Sequence, residues 1–153
     1  MKESSASFGK RIEYWVACNA LKQGLDVFIP LTDKGIDLIV RRDDATYLEV
    51  QVKGRSKNNK APELAADFSS ISQAPTRDNY FFVFYSETLE TFWIMSSEEF
   101  RKEARRMKSG RNKGKWWITL NGTSKNRETG EVKPFPKQKF NKYITKDFSR
   151  LRM

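Results

Sequence analysis

At 153 residues, 38% hydrophobic and 31% charged, the chain can bury one sizeable core but hardly two, and no apolar stretch approaches the roughly 20 residues that span a bilayer. With no histidine and a single cysteine, Cys18, it excludes a histidine base, an imidazole–thiolate zinc site and an internal disulfide, and it fits a reducing cytoplasm. The net charge of +10 is unevenly spread: residues 1–100 hold 12 Lys/Arg against 15 Asp/Glu, whereas residues 101–153 hold 17 against 4.

A polyanion would therefore be drawn to the last third of the chain and not to the rest. Nucleic acid is the commonest such partner, and the alternative is a basic surface that serves only solubility. Trp116, Trp117, Phe135 and Phe140 interleave with the cations, which favours nucleic acid.

The first ten residues are polar and lack the apolar run of a secretory signal. Phe8, Ile12, Trp15, Val16, Ala20 and Leu21 recur at helical spacing, which predicts a helix capped by Ser7 and ended by Gly24. Strands are expected over 25–29, closed by Pro30, then over 36–41 and 47–53, joined by an Arg-Asp-Asp-Ala turn. Residues 54–62 read as a mobile polar loop, and 63–72 as weakly helical. The apolar run 79–85 predicts a central buried strand, followed by another over 90–95. Ser96 with Glu99 forms a capping box that opens a helix running to Gly110. One more strand is expected over 116–120, a long polar loop or loose hairpin over 121–140, and a last short helix. The order α-β-β-β-(α)-β-β-α-β-α predicts one α/β domain over residues 1–153, with a central mixed sheet flanked by helices. Its core would span about 7–107, with a basic C-terminal extension over about 108–153.

The two strands 36–41 and 47–53 carry the chemistry. Glu49, Gln51 and Lys53 alternate with Leu48, Val50 and Val52, so the polar three share one face. A half-solvated strand would show the same alternation. Asp37, flanked by Ile36 and Leu38, is disfavoured there without a partner, and Lys53 stands next to Gly54, where a metal and a phosphate could approach. A carboxylate on one strand, with an amide oxygen, a second carboxylate and a lysine on the next, suits phosphodiester cleavage assisted by hard Mg²⁺, which takes oxygen ligands.

This pattern resembles the PD-(D/E)XK nuclease superfamily, in which an aspartate opens one strand and an (E/D/Q)-x-K triplet follows on the next. Here the match is Asp37 and Gln51-Val52-Lys53, and the helix before them is similar to one that brings a glutamate to the site, which implies Glu13. The acid of the triplet is glutamine, and Ile36 stands where the superfamily name has proline. The resemblance covers residues 9–53 and is closest to small Holliday junction resolvases and related endonucleases. It implies a restriction-endonuclease-like αβββαβ core, a Mg²⁺-dependent endodeoxyribonuclease with Mn²⁺ as a substitute, and a homodimer. Asp37, Gln51 and Glu49 would then ligate the metal, with Lys53 and Glu13 completing the catalytic set. A nuclease fold that binds nucleic acid without cleaving it is the alternative, motivated by Gln51.

Other residues have plainer readings. Without the resemblance, Glu13 is a surface glutamate pairing with Lys10 or Arg11. Asp26 and Asp33 read as solvated carboxylates, and Cys18 as a small core residue. Arg105, Arg106, Arg111, Lys113 and Lys115 make a candidate phosphate-contacting patch, and Arg55, Lys57 and Lys60 could follow a backbone beyond Lys53. Of the adjacent Trp116 and Trp117, one is expected in the core and the other exposed.

Overall fold

Phe8, Ile12, Val16, Ala17 and Ala20 face one way at helical spacing, and in the computed structural model, which describes residues 2–32 and 34–152, they are the buried stripe of α1 (Ser5–Lys22). The cap falls at Ser4 and not at Ser7, because the Ser4 hydroxyl accepts the Ser7 N–H at 3.1 Å. The chain leaves the helix through Gly24, whose φ of +79° is the left-handed turn that glycine adopts freely. Cys18 lies on the outer face, exposed and not in the core, since the buried spacing selects positions 16, 17 and 20. Trp15 and Leu21 are likewise more exposed than their spacing implied.

The central sheet has the order β1-β2-β3-β5-β6-β11. Its strands are β1 (Asp26–Phe28), β2 (Leu38–Arg41), β3 (Tyr47–Arg55), β5 (Tyr80–Ser86), β6 (Thr91–Ser96) and β11 (Ile144–Thr145). All neighbours are antiparallel except β3 and β5, which run parallel with Glu49 opposite Tyr80 and Lys53 opposite Phe84. A parallel step needs a crossover, and β4 (Asp67–Ile71) lies in it. β4 joins β7 (Arg105–Arg106) and β8 (Trp116–Thr119) in a second sheet of order β4-β8-β7. A hairpin follows, β9 (Asn121–Lys125) paired with β10 (Val132–Pro136).

Two apolar layers sandwich the central sheet. Leu48, Val50 and Val52 of β3 and Phe81, Val83 and Tyr85 of β5 pack under α1 with Phe148 and Leu151. Tyr80, Phe82 and Phe84 face the opposite way and are covered by Phe68, Ile71, Ile118, Phe140 and Tyr143. The period-2 alternation of β3 thus puts Glu49, Gln51 and Lys53 on the side of the second sheet. Residues 108–153, expected as an extension, supply β8 to the second sheet, β11 to the central one, and Phe148 and Leu151 to the layer beneath α1.

Three expectations were local and the fold overrode them. Residues 63–72 form a 3-10 turn and β4, with Phe68 and Ile71 buried on either side of a bulge at Ser69–Ser70. The helix opened by the Ser96–Glu99 capping box, α2 (Ser97–Glu103), stops at Ala104, which is extended at ψ 162°; Arg105 and Arg106 then pair with Trp117 and Trp116. Strand pairing outweighs the helix propensity of that basic stretch. The last expected helix is instead β11 between two 3-10 turns.

Candidate active site

The chain enters β2 through Gly35 and Asp37. The Asp37 N–H donates to Val50 O at 2.9 Å, and the Asp37 carboxylate Oδ2 accepts the Val52 N–H at 2.7 Å. The side chain therefore stands in for a strand at the point where β2 has not yet begun, which fixes the carboxylate beside β3 at the level of Gln51 and Val52. Its charge reaches two neighbours from different elements. Lys10 on α1 is held above its ordinary pKa first by its hydrogen bond to Glu13 and then by the charges of Glu13 and Asp37. The Tyr80 phenol is pushed up by burial and then by Asp37, and its hydroxyl donates to Gly35 O.

Gln51 is buried, and among the described residues its Oε1 has no hydrogen-bond partner. A buried carbonyl oxygen left unpaired is costly, on the order of 1–3 kcal/mol, and such an atom marks a place where a ligand supplies what the protein does not. Glu49, on the same face, is held by the Arg77 guanidinium, which also lies over the Tyr80 ring at 5.2 Å. Glu13 is paired with Lys10 at 2.9 Å. Among the described residues no group of three or more His, Cys, Asp or Glu could hold a metal. Asp37 is thus bonded to β3 on either side of Gln51, through Val50 O and the Val52 N–H, while Glu49 and Glu13 are engaged by Arg77 and Lys10.

Lys53 and Glu13 border one open cleft of about 550 Å³, with Gly54, Arg55, Ser56 and Asn58 along its wall and the start of α1 opposite. Gly54 also serves packing: a Cβ there would meet Phe8 Cε1 at 2.9 Å and Ile12 Cγ1 at 3.2 Å, so its bareness admits α1. The loop after β3, expected to be mobile, is tied down. Glu87 accepts from Lys57 N at 3.0 Å and pairs with Arg11 at 3.3 Å.

The basic residues divide into two groups. Arg55 turns inward to donate to Leu64 O at 3.0 Å, whereas Lys57 and Lys60 stay exposed along a cleft of about 470 Å³ that reaches Pro134. Arg105, Arg106, Arg111 and Lys113 are exposed on and around β7, and Lys115 is half-buried. Trp116 and Trp117 are both half-buried, so neither has the fully exposed place expected of one of them. Asp26 pairs with Arg41 at the sheet edge at 3.5 Å, and Asp33 lies outside the described residues. Lys10 is one of the two cations expected beside Glu13, and the structure pairs them; Arg77 and Tyr80 had no motif to mark them, apart from the position of Tyr80 at the head of the apolar run.

With this geometry in place, comparison with solved structures finds a bacterial homing endonuclease, I-Ssp6803I, 22% identical with a TM-score of 0.59, over 98% of this chain and 93% of that one. The chain therefore has a nuclease-like mixed α/β fold. No protein-family model and no curated protein matches the sequence. Among the described residues no helix is long and apolar enough to cross a membrane.

Proposed function

We propose that the chain is a metal-dependent endodeoxyribonuclease of the PD-(D/E)XK type with a Gln-x-Lys triplet. The observation that carries this reading is the unpartnered, buried Gln51 Oε1 at the level where the Asp37 carboxylate is anchored. The similarity in fold to a homing endonuclease supports it. The donors fit Mg²⁺, or Mn²⁺ in its place: one carboxylate and one amide carbonyl are hard oxygen ligands, and such ions keep several waters. When bound, the ion would acidify a water and neutralise charge on a phosphoryl oxygen.

The chain's own groups do the rest. Asp37 and Gln51 would hold the ion, and the Val52 N–H fixes the carboxylate. Lys53 donates to a phosphate oxygen and offsets the charge that develops on phosphorus. Lys10 positions Glu13 at the cleft wall, where Glu13 orients water. Glu49 joins the ligand set only by leaving Arg77. A homodimer, which the resemblance implies, would place two such sites on the two DNA strands; sedimentation reads it directly.

One observation favours the alternative of nucleic-acid binding without cleavage: the third acid of the usual set is glutamine, and no group of three acids forms among the described residues. Titration calorimetry with Mg²⁺ and Mn²⁺, beside a cleavage panel of junction, duplex and single-stranded DNA, separates the two. A nuclease shows a metal site that Asp37→Asn removes and cleavage that Asp37→Ala and Lys53→Ala abolish. Unchanged cleavage in both folded variants would overturn the proposal.

A further inference from the structure

Between Arg105 and Lys115 the chain carries Arg105, Arg106, Lys108, Arg111, Lys113 and Lys115 with no acid. The segment is a two-stranded ribbon. Arg105 and Arg106 pair with Trp117 and Trp116, and the ladder continues through Met107 N to Lys115 O and Gly114 N to Met107 O, both 2.9 Å. A turn closes it through Lys113 N to Gly110 O at 3.2 Å. Every residue from 105 to 111 is exposed, as are Lys113 and Gly114.

The base of the ribbon is rigid. Arg105 stacks over Trp117 at 5.7 Å, while Arg106 and Arg101 stack over Trp116 at 5.1 and 5.2 Å. The Trp117 indole N–H donates to Asp67 Oδ1 at 2.8 Å on β4. Guanidiniums already cover both indoles, so they are poor platforms for an unpaired base. The β9–β10 hairpin, by contrast, mixes Lys125, Arg127 and Lys133 with Glu128 and Glu131. An all-basic ribbon is therefore not repeated in the β9–β10 hairpin, whose charges are mixed.

From this we infer that the β7–β8 ribbon is an arm that enters the major groove of duplex DNA, which makes B-form duplex the substrate class of the proposed site. The inference rests on the nuclease reading only in calling that duplex a substrate. Two strands about 4.8 Å apart fit a groove about 12 Å wide, whereas the deep, narrow groove of an RNA helix excludes them. Arg111 and Lys113 at the tip carry the donors that pair with guanine O6 and N7. The arm belongs to the second sheet, and the Glu49–Gln51–Lys53 row faces that same side of the central sheet.

The test uses the full chain carrying Asp37→Asn, without divalent metal, and fluorescent duplex DNA, duplex RNA and single-stranded DNA of one sequence. Expected is binding to the DNA duplex about tenfold or more tighter than to the other two. Adding Arg111→Gln with Lys113→Gln should lower the slope of log K against log salt by about 2, with an unchanged circular dichroism spectrum. Methylation of guanine N7 should weaken the complex. Equal binding of RNA or single strands, an unchanged salt slope, or indifference to N7 methylation would each overturn the arm. Binding that meets these conditions supports it even if the unmodified chain cleaves nothing. Cleavage indifferent to the tip substitutions overturns it and leaves the nuclease reading standing.

Discussion

Asp37 holds Val52 by a 2.7 Å hydrogen bond from the Val52 backbone N–H to its carboxylate, so a catalytic candidate is also a piece of the sheet. The two roles separate by substitution. Asp37→Asn keeps an acceptor for Val52 and should change stability by less than about 1 kcal/mol. Asp37→Ala leaves the N–H without that acceptor and should cost about 1–3 kcal/mol. Both should lower cleavage by about 10²-fold or more. Denaturant midpoints and rates on the same preparations check the pair.

Gln51→Glu tests whether the buried oxygen faces a cation. Without metal, a second carboxylate beside Asp37 brings like charges together and should lower the melting temperature. With Mg²⁺ the same variant should gain more stability than the parent, because a ligand that binds only the folded form stabilises it by mass action. Melting curves with and without Mg²⁺ decide. A Glu variant indifferent to the ion would count against the site.

Gly54→Ala should destabilise by about 1–3 kcal/mol, since the added Cβ overlaps Phe8 and crowds Ile12 across the α1–β3 contact. Urea titration reads it. Phe8→Leu in the same chain should recover part of the loss by withdrawing the ring atom nearest the new methyl.

Glu99 gives the stability a pH dependence. Burial pushes its carboxyl up, but hydrogen bonds from Arg150 and the Ser96 N–H outweigh this and hold it below its ordinary 4.5. A depressed folded-state value contributes stability above pH 4.5 that is lost as pH falls through the lowered value. Arg150 Nη2 meets the two Glu99 oxygens at 2.7 and 2.9 Å on a partly exposed site. Arg150→Met should therefore cost about 0.5–1 kcal/mol at neutral pH and flatten the acid side of the stability curve. Chemical denaturation between pH 3 and 7 measures both, and parallel curves for parent and variant would refute the linkage.

Legibility in the sequence followed the range of the interaction. The helical spacing from Phe8 to Ala20, the apolar run of β5 and the Ser96–Glu99 capping box are signals a few residues long, and the structure contains all three elements. Arg105–Arg106 and Asp67–Ile71 read as helix because their strand partner, β8, lies elsewhere in the chain. The site divides the same way. Asp37, Gln51 and Lys53 were visible through alternation and resemblance. The occupation of Glu49 by Arg77 depends on a pairing across 28 residues that no local pattern encodes.

The closure of the layer beneath α1 has a consequence for synthesis. Phe148 and Leu151 are 3% and 0% exposed, and Phe148 meets Phe92 edge-on at 5.3 Å. A nascent chain still lacking them presents a greasy flank for as long as the ribosome withholds those residues. Commitment to the native state is therefore late, and a truncation ahead of Phe148 should yield a sticky, chaperone-dependent product and not a smaller folded domain.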